Sequence, residues 1–136
     1  AWLRAASAAL HEKAAWLTEL DSAIGDADHG TNMTRGFTAV VGKLDTGAAT
    51  VQERLKSVGM TLVTTVGGAS GSLYGTFFLD MGRNSPAEAS MSAEQLAAAM
   101  RAGVAAVIAT HNLELARHMD RVLALKDGHL EPQSLF

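Results

Sequence analysis

Residues 21–32, DSAIGDADHGTN, set three carboxylates (Asp21, Asp26 and Asp28), one imidazole (His29) and one amide (Asn32) within twelve positions, with no Lys or Arg among them. Negative charge left uncompensated by its own segment suits a cation site. Carboxylate oxygens match hard ions, and Mg²⁺ in particular is commonly held by one or two carboxylates together with water and substrate phosphates. Gly25 and Gly30 let the backbone turn sharply around the acids, while Gly30, Thr31 and Asn32 read as the entry to a helix whose free N–H groups face an anion. The same residues also suit a solvated turn, because Asp bonds its own backbone in such places. An EF-hand is excluded: the sixth position counted from Asp26 is Thr31, where Gly is needed, and the twelfth is Phe37, where Glu is needed.

A second stretch, residues 67–78 (GGASGSLYGTFF), is rich in small residues. Gly68, Ala69 and Ser70 let backbone N–H groups come close to an anion, and the Ser70 hydroxyl adds a donor. A tight helix–helix connection needs the same small residues for packing alone. The segment is not a Walker A loop, since no Gly-Lys-Ser/Thr follows it.

These two stretches need elements to position them, and the apolar spacing supplies helices. Ala1 to about Leu17 carries Trp2, Leu3, Ala6, Leu10, Ala14 and Leu17 at helical spacing, with Trp2 and Trp16 expected in the core or at its rim and His11 and Lys13 on a solvated face. Thr31 to about Leu44 carries Met33, Phe37, Val40, Val41 and Leu44, and closes with Lys43 and Gly47. Arg35, one turn beyond Thr31, either reaches back to the acids or faces water, the second being preferred. Thr50 with Glu53 forms a capping box for a third helix, whose Val51, Leu55, Val58, Leu62, Val63 and Val66 run up to the glycines. A fourth helix spans roughly Ser72 to Met81. Ser92 with Gln95 opens a fifth, with Leu96, Met100, Val104, Val107 and Ile108 as its stripe. Five helices with short connections predict an all-α antiparallel bundle.

Composition narrows the function classes. The 136 residues, 48% hydrophobic and 18% charged, suffice for one ordinary core. A net charge of −3 gives no electrostatic footprint for nucleic acid. The absence of cysteine rules out disulfides and thiolate metal sites. No apolar run is long enough to span a membrane, and no secretory leader pattern opens the sequence, so a cytoplasmic location is expected. The start at Ala1 rather than Met fits a fragment or a trimmed chain.

Residues 20–37 and 67–78 together resemble the nucleotide-binding subunit, or L domain, of dihydroxyacetone (glycerone) kinases. The resemblance covers residues 1–108. It implies an all-α barrel of antiparallel helices, truncated here relative to the eight-helix barrel of the family, and two Mg²⁺ ions held by Asp21, Asp26 and Asp28. It implies ADP or ATP phosphates met by His29, Gly30, Thr31 and Asn32 on one side and Gly68, Ala69 and Ser70 on the other. Phosphoryl transfer would then run toward dihydroxyacetone carried by a separate kinase subunit. In some members a phosphotransferase-system protein rephosphorylates a tightly held ADP, and Ala27 resembles that group more than the glycine usual in ATP-using kinases.

Residues 107–130 depart from that family and resemble the end of a lipoprotein-release ABC-transporter ATPase, with His111 at its switch histidine and Asp127-Gly128 at a hairpin turn. The other loops of such an ATPase are absent from the sequence. Residues 109–136 are therefore expected to form an unrelated tail: a short helix over 112–119 and a weak hairpin pairing Val122–Leu125 with His129–Glu131. A chain so truncated is expected to expose Leu10, Leu96, Met100 and Val104 and to self-associate. The alternative function is a helical scaffold without catalysis, or an inactive chimeric fragment that keeps a residual metal or nucleotide site.

Overall fold

The computed structural model describes residues 2–23, 25–45, 47–104, 123–126 and 129–132. It divides into two compact units, Ala1–Ala106 and Val107–Phe136. The first unit is all-α: α1 (Trp2–Ser22), α2 (His29–Lys43), α3 (Val51–Thr65), α4 (Gly68–Arg83) and α5 (Ala93–Val104), each packed on the next in sequence.

Contacts along the helices show that neighbours run antiparallel. Gly59 of α3 lies against Gly75 and Leu79, while Gly82, near the end of α4, lies against Lys56 and Gln52, near the start of α3. On α1 and α2, Gly30 abuts Ala14 and Thr18, whereas Thr38, two turns further on, bonds His11. The apolar stripes meet in one core. Met33, Phe37 and Val40 of α2 pack with Leu55, Val58 and Leu62 of α3, Phe78 and Met81 of α4, and Ala99 of α5. Complete burial of a leucine such as Leu62 stabilises the fold by roughly 1.5–3 kcal/mol.

Two local signals appear in the structure as the sequence predicts. Thr50 Oγ1 accepts from Glu53 N at 3.1 Å while Glu53 Oε2 accepts from Thr50 N at 3.2 Å, a reciprocal box at the start of α3. Ser92 and Gln95 repeat the exchange at α5, at 2.8 and 3.2 Å. Lys43 is the basic residue in the last turn of α2, and Gly47 beyond it has a positive φ of 71°.

The helix boundaries depart from expectation at the functional end. Helix α1 runs five residues past Leu17 and takes Asp21 into its last turn; α2 opens at His29; α4 opens at Gly68, four residues before Ser72. The glycine-rich motif therefore opens a helix, whereas in the acidic motif Asp21 and His29 lie in helix termini and Asp26 and Asp28 in the short connection between them. Trp16 is 55% exposed, which places it outside the core; Trp2, half exposed, stacks on Phe78 at 5.8 Å between centroids. His11 is exposed as expected, yet it is engaged with the Ser7 carbonyl at 2.8 Å and with Thr38 Oγ1 at 3.2 Å. Leu10 and Leu96 are half-buried, while Met100 and Val104 are exposed.

In the second unit Leu123–Lys126 (β1) pairs antiparallel with His129–Pro132 (β2), in the register Leu125 opposite Leu130. His111, the expected helix over 112–119, Val107, Ile108, Val122 and the Asp127-Gly128 turn lie outside the described residues. No described helix is long and apolar enough to cross a membrane.

Candidate functional site

The three acids come together. One carboxylate oxygen from each of Asp21, Asp26 and Asp28 lies within 4.8 Å of the others, with Asp21 half-buried and Asp26 and Asp28 exposed. The backbone arranges this locally. Gly25 N–H donates to the Asp21 carbonyl at 2.6 Å, turning the chain out of α1, and a Cβ on Gly25 would meet Asp21 Oδ1 at 2.2 Å. Only glycine leaves that carboxylate its place. Ala27, between the other two acids, has φ 58°, a left-handed pose uncommon outside glycine, and it allows Asp26 and Asp28 to share a face.

Asp21 has a second task that its sequence position does not announce. Its Oδ2 accepts from the N–H of Asp28 at 3.1 Å and of His29 at 3.3 Å, so it caps α2 from seven residues upstream. Asp28, the residue at the cap position, makes no side-chain cap bond. Its carboxylate thus stays directed to the cluster.

The electrostatics are those of crowded like charges. A backbone hydrogen bond at Asp26 pulls its carboxyl down, but a hydrogen bond shared with Asp28, the Asp28 charge, partial desolvation and the Asp21 charge together outweigh it. The net effect holds Asp26 above its ordinary value of 3.8. A divalent cation placed among the three oxygens removes that repulsion, and an all-oxygen, all-carboxylate donor set is the one hard ions such as Mg²⁺ take. The donor chemistry therefore fits the ion expected from sequence.

The second motif arrives at the same end of the bundle. Gly67, in extended conformation, and Gly68, at φ 63°, turn the chain from α3 into α4, and Gly67 gives α4 no side-chain cap. Ser70, on the first turn of α4, places its Oγ 3.2 Å from His29 Nδ1, on the first turn of α2. Two helix N-termini, each carrying the positive end of its dipole and free N–H groups, thus meet beside three carboxylates. Such a pairing favours an anion and a cation held side by side.

The remaining expected residues are spread around this junction. Gly30 is buried against α1, Thr31 stands exposed on the first turn of α2, and Asn32 is buried on the inner side of that helix. Gly68 is exposed, and Ala69 lies in the first turn of α4. Arg35 does not reach the acids and is exposed, as preferred from sequence, yet it is engaged: its Nε donates to the Thr65 carbonyl at 2.9 Å and its Nη2 to Asn32 Oδ1 at 2.6 Å. The first of these acceptors, a carbonyl at the end of α3, is thirty residues away in sequence, which is why spacing did not reveal it.

The family model described as "DAK2 domain" matches residues 23–116, a span that includes Asp26, Asp28 and the glycine-rich turn and begins two residues after Asp21. The chain is 43% identical over 114 residues to the ADP-binding subunit DhaL of PEP-dependent dihydroxyacetone kinase from Escherichia coli, covering 83% of this chain and 54% of that protein. It is 46% identical over 83 residues to the ADP-binding subunit DhaL of PTS-dependent dihydroxyacetone kinase from Lactococcus lactis, covering 60% of this chain and 43% of that one. The chain spans about half the length of these curated relatives. At its C-terminal end, 31 residues are 87% identical to the lipoprotein-releasing system ATP-binding protein LolD 2 of Caulobacter vibrioides, 23% of this chain and 14% of that protein.

Proposed function

The chain belongs to the DAK2 domain family, and from that premise we propose that the α1–α2 and α3–α4 junctions bind the phosphates of ADP or ATP together with Mg²⁺. The observation that carries this reading is the His29–Ser70 hydrogen bond, which joins two segments 41 residues apart beside the carboxylate cluster. Asp21, Asp26 and Asp28 hold the metal, taken as two ions. His29, Gly30, Thr31 and Asn32 face the phosphates from α2, and Gly68, Ala69 and Ser70 face them from α4. Metal held by these carboxylates would supply positive charge to the phosphate oxygens. The chain's own part is positioning: N–H groups of two helix termini and the Ser70 hydroxyl orient the anion, and no side chain of the site is required as a nucleophile.

In this reading residues 1–108 form the nucleotide domain and residues 109–136 an ABC-ATPase-like tail of different origin. The phosphoryl group is destined for dihydroxyacetone on a separate kinase subunit in the cytoplasm, with a phosphotransferase-system protein as a candidate donor. A second reading, a helical scaffold without catalysis, rests on Met100 and Val104 of α5, which stand 45% and 65% exposed. Such a face favours pairing with a second copy.

Calorimetric titration with ADP and Mg²⁺ tests the first reading. Heat that disappears with EDTA supports it. No heat at millimolar nucleotide leaves the scaffold, and light scattering then reports whether that scaffold is a dimer.

A further inference from the structure

Two bridges join the halves of the site. One is the His29–Ser70 bond between the first turns of α2 and α4. The other lies one turn deeper, at Arg35. Its Nε–H is given to the carbonyl of Thr65, the last residue of α3, and an Nη2–H to the buried Asn32, so a single planar guanidinium grips the end of α3 and a side chain of its own helix, three residues back.

The bond to Asn32 has a chemical consequence. A guanidinium can only donate, so the Asn32 amide must turn its oxygen to Arg35. The NH₂ edge is then directed to the glycine-rich turn: a Cβ on Gly67 would lie 3.4 Å from Asn32 Nδ2, nearer than to any other side-chain atom. Without Arg35 the amide is free to rotate and offer its oxygen, an acceptor, toward the place where an anion would sit. The bond to Thr65 acts at the same time on the turn itself, because Thr65 is two residues before Gly67.

We propose that Arg35 is a positioning residue for nucleotide phosphate, fixing the donor edge of Asn32 and the spacing between the starts of α2 and α4 without touching the ligand. The proposal rests on the nucleotide-binding reading above. It separates phosphate from metal: the three carboxylates belong to the α1–α2 junction alone, so their hold on a cation does not pass through Arg35.

The test compares the parent chain with Arg35→Gln and Arg35→Lys by calorimetry with Mg-ADP, and by titration with Mn²⁺ alone as a probe of the carboxylates. Loss of two hydrogen bonds from a charged donor should weaken Mg-ADP binding by about tenfold or more in Arg35→Gln. Mn²⁺ affinity should stay within about twofold of the parent. Arg35→Lys should fall between, because an ammonium reaches one acceptor and lacks the fork. Unchanged Mg-ADP affinity in Arg35→Gln overturns the proposal. So do parallel losses of Mn²⁺ and Mg-ADP affinity, which mark general damage to the fold, and so does full rescue by lysine, which marks charge rather than orientation. A parent chain that binds no nucleotide brings down the underlying reading and this proposal together; a binding parent with an indifferent Arg35→Gln removes this proposal alone.

Discussion

The α3–α4 pair and the α1–α2 junction sit side by side and are built on opposite principles. Helices α3 and α4 meet through apolar side chains and close backbone approach: Leu62 is fully buried, and Gly59 lies so near Gly75 that a Cβ there would come within 2.8 Å of its carbonyl oxygen. The α1–α2 junction instead gathers three carboxylates at the surface and holds them by single hydrogen bonds to Asp21 and by the turn at Gly25. One region derives its order from burial, which needs no ligand. The other keeps like charges close, and that arrangement is favourable once a cation joins it. Stability and binding should accordingly respond to different residues.

The largest blow to the buried region is Leu62→Ala. Loss of a fully buried leucine in a packed core should cost about 2–5 kcal/mol in urea unfolding, with any loss of nucleotide binding tracking the unfolded fraction. A cost under ~1 kcal/mol would mean that α3 and α4 are not the packed centre.

Asp26→Asn presses on the other side of the contrast. It should abolish Mg²⁺-dependent nucleotide binding while leaving the metal-free fold as stable as the parent or more so at neutral pH. Asp26 in the fold holds its proton more tightly than in the unfolded chain, so it adds stability below its ordinary value of 3.8, and that contribution is lost as pH rises through the raised folded value. Melts of parent and variant without metal should therefore differ most at neutral pH and converge on acidification. A variant less stable than the parent at neutral pH would show that Asp26 is held charged by a partner instead. Asp28→Asn should lose binding in the same way.

Thr50→Ala removes the cap of α3 at the end of the molecule remote from Ser70. A loss of about 1 kcal/mol in stability is expected, with Mg-ADP affinity of the folded protein unaltered. Ser70→Ala is its mirror image: unfolding little changed, and affinity weakened by about 1 kcal/mol for one lost hydrogen bond, more where the partner is a charged phosphate. If Ser70→Ala lowers stability and leaves affinity intact, the His29–Ser70 bond is a structural tie only.

Legibility followed the length over which each interaction acts. The capping boxes at Thr50–Glu53 and Ser92–Gln95 are three-residue motifs, complete within one turn, and both could be read directly. Apolar spacing located the five helices, because a stripe at 3.6-residue period needs only an apolar surface to meet. The acids were legible as a group since Asp21, Asp26 and Asp28 lie within eight residues. The end of α1 was not, because the carboxylate of Asp21 finds its acceptor role only after the chain has turned at Gly25 and brought the N–H groups of Asp28 and His29 beneath it.

The sequence by itself determined an all-α antiparallel bundle, the composition of an acidic cluster, and a small-residue turn, because each depends on side-chain type and local period. Tertiary structure alone decided that His29 meets Ser70 and that Arg35 grips Thr65 and Asn32. It also decided that Trp16 stays at the surface. These outcomes depend on which faces of α2, α3 and α4 come together, and that is fixed by the summed burial of residues such as Phe37, Leu62 and Phe78 rather than by any spacing between the partners themselves.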